Sequence, residues 1–507
     1  MRCTFLNYAR GSLRRVPAPG SVGCSTSFAR KRRLERRRVG GVLVLLLALL
    51  VGACNAPAST SPSGDRPAPD GSSTARARDG DSEDATGARR GPLTASDSRP
   101  SLWAGGDRRL TLRGDPAFTP SQLSSAELVT YQRLMQEIAD PENQRAIMRL
   151  AASDDLFKYG RTLHGYIQAV LTAFRVTGDL ALLDHVDVIT QRMRQELGYG
   201  WRNTKDRTDG THGEYLMWVF RSDPEDSQFG KDRKIDAIKT SGLIAMVAYA
   251  LELNRDLTSP GGRDYGAHAD FWRTYLIDHF EAEWRERYEV PTGFPIMHHP
   301  DGHTYWTWTK WHYFMGLLTG DPEYLGEARR MADVIWADIH NVDLPVGTAY
   351  VWTSNISQLA DVRQYLMTTG YANSIYGDVV TFHLEGFHEW ADEENVRAFA
   401  RTLTEFVFDK DDPSMDGISS DVGGGVDQAG IPSEDTRRRT PSAFTQYQYA
   451  LISPWDVTGE IARVSHDIQE SSLTDDTTRL AAGLLLDAHV RRGDAAIATR
   501  RPSSGAE

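Results

Sequence analysis

The stretch YIQAVLTAFRVTGD, Tyr166 to Asp179, sets apolar side chains at helical spacing and then stops at Thr177-Gly178-Asp179. A second helical pattern, Leu180 to Leu197, follows at once, so the two read as a helical hairpin. The same grammar recurs along the chain. Trp311 to Leu318 stops at Thr319-Gly320-Asp321, followed by Pro322 and a helix from Tyr324 to Ile339. Leu243 to Leu253 stops at Asn254-Arg255-Asp256, and Asp378 to Trp390 stops at Ala391-Asp392. Ser125 to Ala139 with Pro141 to Ala152 makes an earlier pair, and Val457 to Ile468 with Asp475 to Arg491 a last one. The turns at Asp179, Asp256, Asp321 and Asp392 lie roughly 65 to 77 residues apart, about one long hairpin per repeat and about six pairs in all. Gly347 to Trp352 is the best of few short strands, so the expected class is all-α.

The least ordinary segment is HHPDGHTYWTWTKWHYF, His298 to Phe314, which packs four histidines, four Trp or Phe rings, two tyrosines and a lysine into 17 residues. A buried helix would draw on Leu, Ile and Val, and a solvated loop on Ser, Asp and Asn. Flat rings mixed with titratable groups suit a cleft that stacks on sugars and serves their hydroxyl and acid groups. In the repeat this segment becomes the approach to one helix, with Trp311 onward committed to packing and His303, Tyr305 and Lys310 at its loop end.

The front of the chain has a different character. Arg30 to Arg38 is strongly basic, Val42 to Val51 is apolar, and Val51-Gly52-Ala53-Cys54 resembles the lipobox of bacterial lipoproteins. The resemblance implies a signal peptide over 1–53 and a diacylated Cys54, placing the body in the bacterial cell envelope, periplasmic or at the outer membrane. Residues 54–108 are rich in Ser, Pro, Gly and charge, cannot bury a core, and read as a disordered tether. The globular body is expected over 109–497, with a disordered tail over 498–507. All three cysteines, Cys3, Cys24 and Cys54, fall in or beside the leader, which excludes a disulfide and thiolate catalysis in the body. Taking the leader's +10 (eleven Lys or Arg against one Glu before Cys54) from the formal −12 leaves about −22. Such a body repels phosphate and is a poor partner for nucleic acid, and the only membrane contact expected is through the lipid.

The long period, the Gly-Asp turns and the aromatic-rich approaches together resemble the alpha/alpha toroids, an incomplete or complete barrel of about six helical hairpins. These include six-hairpin glycosidases, sugar epimerases and lyases of the alginate, glucuronan and heparin-degrading kinds. The resemblance implies that the first helix of each pair lines a cleft whose loops carry the chemistry. Those approaches hold Lys158, Tyr159, Arg161 and His164; His212, Glu214 and Trp218, then Lys234, Asp236 and Lys239; Trp352, Asn355, Arg363, Tyr371, Asn373 and Tyr376; and Ser442 to Tyr449.

Glycoside hydrolysis needs a pair of carboxyl groups, and none stands out among Glu214, Asp236, Asp301, Asp378 and Glu385. Beta-elimination on a uronic acid needs a base for the proton beside the carboxylate, a group to neutralise that carboxylate, and an acid for the leaving oxygen. Lyases of toroid type meet this demand with His, Tyr, Arg and Asn or Gln, the residue kinds gathered here. The resemblance therefore implies His212, His303 and His312 as base or neutraliser, Tyr305, Tyr371 and Tyr376 as acid or base, and Arg363, Lys310, Asn355 and Asn373 as carboxylate holders. Glu214, Trp306, Trp308, Trp352 and Lys239 complete the expected substrate contacts. His298, His299, Asp301 and His303 have the donor types for a metal, but HExxH and cysteine clusters are missing, so neither metal nor cofactor is expected. Asp409 to Asp416 and Asp421 to Asp427 read as solvated loops before calcium loops. The expectation is a lipid-anchored lyase acting on an acidic polysaccharide. The alternatives are a hydrolase or epimerase on the same scaffold, or a glycan-binding lipoprotein without catalysis.

Overall fold

The computed structural model describes residues 110–201, 212–225, 230, 234–287, 302–354, 366–367, 369–408, 422, 448–467 and 473–500. Cys54, the leader, the tether, Asn355 and Arg363 lie outside these residues, as do His298, His299, Asp301 and the acidic stretches after Phe408.

The chain is mostly helical. Helices α1 (Ser125–Ala139), α2 (Pro141–Ala151), α3 (His164–Thr177) and α4 (Leu180–Arg194) come first, with a π-helical turn (Lys158–Leu163) leading straight into α3. Strands β1 (Gly198–Trp201) and β2 (His212–Met217) form one antiparallel hairpin. Next come α5 (Lys234–Leu253), α6 (Tyr265–Thr274), a second π turn (Tyr275–Glu281) and α7 (Ala282–Arg287). Helices α8 (Gly302–Thr319) and α9 (Pro322–Ala337) precede a second hairpin, β3 (Ile339–Leu344) with β4 (Gly347–Trp352). The chain continues through α10 (Thr369–Glu385), α11 (Glu393–Thr402), a 3-10 segment (Gln448–Trp455), α12 (Glu460–Asp467) and α13 (Leu473–Arg500). The last helix runs past Ile497, where the body was expected to end, to Arg500.

Three of the four Asp turns work as read. Gly178 takes a left-handed φ of 73°, which glycine adopts without the Cβ penalty, and its N–H closes α3 on Phe174 O. Asp179 then caps α4 by accepting from Ala181 N. Gly320 (φ 72°) and Asp321, which accepts from Glu323 N with Pro322 at the first helical position, repeat the device between α8 and α9. Asp392 caps α11 by accepting from Glu394 N. Asp256 differs. It pairs with Arg113 at 2.6 Å, and α6 is capped instead by Asp264, which accepts from Ala267 N.

Two local expectations are corrected. The aromatic segment is helical from Gly302, so His303, Tyr305 and Lys310 stand on α8 and not at a loop end. Every side chain from His303 to Leu318 is buried, because neighbours surround this helix and rings serve as its apolar surface. Two of its threonines cost little there: Thr307 and Thr309 donate to the carbonyls of His303 and Tyr305, one turn back. The second correction is that His212 and Glu214 lie on strand β2, opposite Trp201 to Gly198, and do not lead into a helix; the next helix starts at Lys234.

The second helices flank the first: α4 packs on α3, α6 on α5, α9 on α8 and α11 on α10. The first helices touch in succession, α3 with α5, α5 with α8, α8 with α10, α10 with the 3-10 segment, and that segment with α3. Close approach needs small residues. A Cβ on Gly316 of α8 would fall 2.5 Å from Leu325 Cγ and 3.0 Å from Leu325 N of α9.

These glycines separate by effect. Gly178→Ala should lose about 1 kcal/mol to the left-handed backbone, and Gly316→Ala about 1–3 kcal/mol to overpacking. Gly326→Ala, on α9 with nothing within 4 Å of its Cβ, should gain about 0.5–1 kcal/mol from helix propensity. Urea unfolding midpoints of the three variants check the order.

Candidate functional site

The four first helices are apolar, yet each carries polar residues at helical spacing on one side. On α3 these are His164, Gln168 and Arg175; on α8, His303, Thr307 and Lys310; on α10, Ser374, Asp378, Thr381 and Glu385. Asp236 and Lys239 stand in the first turns of α5, and Gln448 opens the 3-10 segment. All are buried. Their mutual bonds show that these faces meet.

At the centre, Lys310 is 0% exposed and its ammonium donates to Asp378 Oδ1 at 2.5 Å and to His164 Nε2 at 2.7 Å. Accepting at Nε2 fixes the proton on Nδ1, which donates to Gln448 Oε1 at 3.0 Å; the same oxygen accepts from Gly165 N, and the Gln448 amide nitrogen donates to Ser374 O. Burial, with the ammonium groups of Lys310 and Lys239, pushes the His164 imidazole well below its ordinary range. Burial pushes the Asp378 carboxyl up, against the pull of Lys310. Gln168 donates to Thr381 Oγ1 at 2.8 Å, and Thr381 passes a bond to Gly377 O. A Cβ at Gly377 would come within about 3 Å of the Gln168 and Gln448 amides, so the network requires glycine there. Deeper along α3 and α10, Arg175 and Glu385 form another buried pair at 2.5 Å.

Toward the starts of the helices the cluster meets the surface. The π turn before α3 carries Arg161, 24% exposed, whose Nε bonds Asp236 Oδ1 at 3.2 Å. Gly160 lets that turn lie against α5, since a Cβ would be 2.8 Å from Asp236 O. Such π turns occur often at functional sites. Lys239, one turn further along α5 and 4% exposed, donates to Ser374 Oγ at 3.1 Å. Burial, reinforced by the Arg161 cation, pushes its amine down to about 8. Ser374 in turn donates to Tyr371 O. In the first turns of α8 and α10, the rings of His303 and Tyr371 stack with centroids 4.4 Å apart and planes 9° from parallel. Gly302 sets the first of these rings: its N–H bonds Ser354 O, so α8 starts against the end of β4.

The expected residues therefore divide. His303, Lys310, Tyr371 and Lys239 come together with His164 and Asp378. Asn373 is nearby, its Oδ1 accepting from Tyr449 N. Tyr305 and His312 lie on the opposite face of α8, toward the flanking helices. Burial pushes the Tyr305 phenol up while Arg330 of α9 pulls it down, and His312 stacks on Trp308 beside Trp311 and Tyr324. Burial also pushes His312 well below its ordinary range. Trp308 packs on Phe280 and Trp284, and Trp306 on Trp390 and Phe399. Trp352 meets Tyr376 edge-on, and burial pushes the Tyr376 phenol up. These rings are packing between layers. His212 and Glu214 are placed as backbone positions of β2.

Gln168 and Ser374 were not singled out from sequence, and Gln448 only as part of the stretch Ser442 to Tyr449. A signal existed: polar residues spaced by three or four within otherwise apolar helices mark a shared buried polar face.

With the geometry in view, comparison with known protein families, with curated proteins and with solved structures finds no match. The function has to be argued from the residues themselves.

Two substitutions probe the centre. Lys310→Met leaves Asp378 buried without its cation and should cost about 3–5 kcal/mol. Adding Asp378→Leu should recover a substantial part, because no buried charge is then stranded; urea unfolding of both variants checks this. Lys239→Met tests the upper amine. Its folded value of about 8 lies below the unfolded 10.5, so between those pH values the unfolded state binds more protons, and wild-type stability rises with pH. The cost to the wild type is fully present below pH 8. The stability advantage of Lys239→Met should thus be widest below pH 8 and shrink by roughly 3 kcal/mol on reaching pH 10.5.

Proposed function

We propose that this chain is a lipid-anchored polysaccharide lyase that cuts a uronic-acid polymer of the alginate or glucuronan type by beta-elimination. The scaffold is read as an alpha/alpha toroid, supported by the succession of contacts among the first helices and by a flanking partner for each. The anchor is the diacylated Cys54 implied by the lipobox resemblance, in the periplasm or at the outer membrane.

The observation that carries the reading is the stacked His303–Tyr371 pair, set at the helix starts above a floor holding Lys239. Elimination requires a base and an acid within reach of one sugar ring, beside positive charge. In this reading one member of the pair removes the proton on the carbon beside the carboxylate. The released electrons form the ring double bond as the glycosidic C–O bond breaks, and the departing oxygen takes a proton from the other. Cations in the floor stabilise the charge that builds on the carboxylate. Hydrolysis is less well supported: the three carboxylates of the buried polar faces are held by cations, Asp236 by Arg161, Asp378 by Lys310 and Glu385 by Arg175.

The test is incubation with alginate, glucuronan and glycosaminoglycans while following the ultraviolet absorbance of an unsaturated uronate. Absorbance should rise with one of these polymers; new reducing ends without it would overturn elimination. His303→Gln and Tyr371→Phe should each lower turnover about 100-fold or more with circular dichroism unchanged. His312→Gln, on the packing face, should leave turnover within a few-fold while lowering stability.

A further inference from the structure

The described residues place four cations in or beside the polar core, and three have their charge answered. Arg161 bonds Asp236 at 3.2 Å, Lys310 bonds Asp378 at 2.5 Å, and Arg175 bonds Glu385 at 2.5 Å. Lys239 is the exception. Among the described residues its ammonium has one hydrogen-bond partner, the uncharged hydroxyl of Ser374, and forms no ion pair. The charges around it are Asp236 on its own helix, Arg161 from the π turn, Lys310 from α8 and Asp378 from α10, with both carboxylates engaged by the other cations. An ammonium withdrawn from water with no ion pair of its own is expensive. A ligand anion would supply that pair.

We propose that Lys239 seats the carboxylate of an acidic sugar, and that this ion pair selects uronates over neutral hexoses. The proposal rests on the lyase reading for its ligand class and deepens it. Carboxylate holding passes from Lys310, whose ammonium is occupied by Asp378 and His164, to a residue expected only to touch substrate. Position agrees with this role. Lys239 stands one turn along α5 from Asp236, the partner of Arg161 where the cluster reaches the surface, and its own partner Ser374 lies one turn along α10 from Tyr371 of the stacked pair.

The protonated amine binds the anion, and the bound anion holds the proton. Binding above pH 8 must therefore take up a proton, and affinity must fall with rising pH, by up to about tenfold per unit, until the amine of the complex also titrates.

Calorimetric titration of the full chain with D-glucuronate and with D-glucose, at pH 7 to 10 and in buffers of different ionisation enthalpy, measures both effects. Glucuronate should bind with proton uptake near pH 8.5 and weaken toward pH 10, while glucose should bind at least tenfold more weakly. Lys239→Met should lose tenfold or more in glucuronate affinity, and Lys239→Arg should retain part of it. Absence of glucuronate binding, binding without proton uptake in the wild-type chain, or affinity unchanged in Lys239→Met would overturn the seat. The proton-uptake measurement needs no variant to fold. Failure of the two readings is distinguishable: Lys239-dependent glucuronate binding without ultraviolet product keeps the seat and removes the lyase, whereas elimination with unchanged glucuronate affinity in Lys239→Met does the reverse.

Discussion

The contact between the Lys310 ammonium, the Asp378 carboxylate and the His164 imidazole constrains the whole helical body. It joins α3, α8 and α10 at a point where no water is needed to solvate the charge. A buried pair of this kind returns its desolvation cost only when geometry is close and the remaining polar atoms are bonded. Here Gln448 holds the far nitrogen of His164, and Gly377 makes room for the amides. Removal of any one side chain strands another, so helices far apart in sequence are held in one relative placement.

That placement explains how one helix serves two purposes. Helix α8 is buried on every side, so its residues are sorted by direction and not by exposure. His303, Thr307 and Lys310 turn toward the polar core. Tyr305, Trp308 and His312 turn toward α7, α9 and the second π turn, where a neutral imidazole is another flat ring to pack. The aromatic richness of the segment is thus largely packing, and the proposed chemistry narrows to the stacked His303–Tyr371 pair and the amine of Lys239. Glycine serves both: Gly302 and Gly160 bring helix starts against neighbouring backbone, and Gly316 brings α9 close.

Much of the architecture is legible from local signals. Gly178-Asp179, Gly320-Asp321 and Asp392 act through backbone conformation and caps, which depend on few neighbours, so their turns can be read directly. Strand Gly347–Trp352 is legible for the same reason, from β-branched and aromatic residues beside a turn. The start of α8 is not legible locally. Residues 302–310 hold no aliphatic side chain, and the helix forms because surrounding helices bury its rings. The β1–β2 hairpin escapes too, since its pairing partner lies beyond the nearest turn.

Sequence by itself determined the helical class, the hairpin repeat, the acidic charge of the body, and the residue kinds from which a site would be built. Those properties follow from composition and from interactions within a turn or two. Only tertiary structure decided which faces of the helices meet, and hence that Lys310 is taken by Asp378 and His164 while Lys239 has no carboxylate partner among the described residues. The reason is that burial and ion pairing depend on distances across helices, which a linear pattern does not encode. The same histidine, tyrosine or lysine packs between helices or joins the polar core according to the direction its helix is turned.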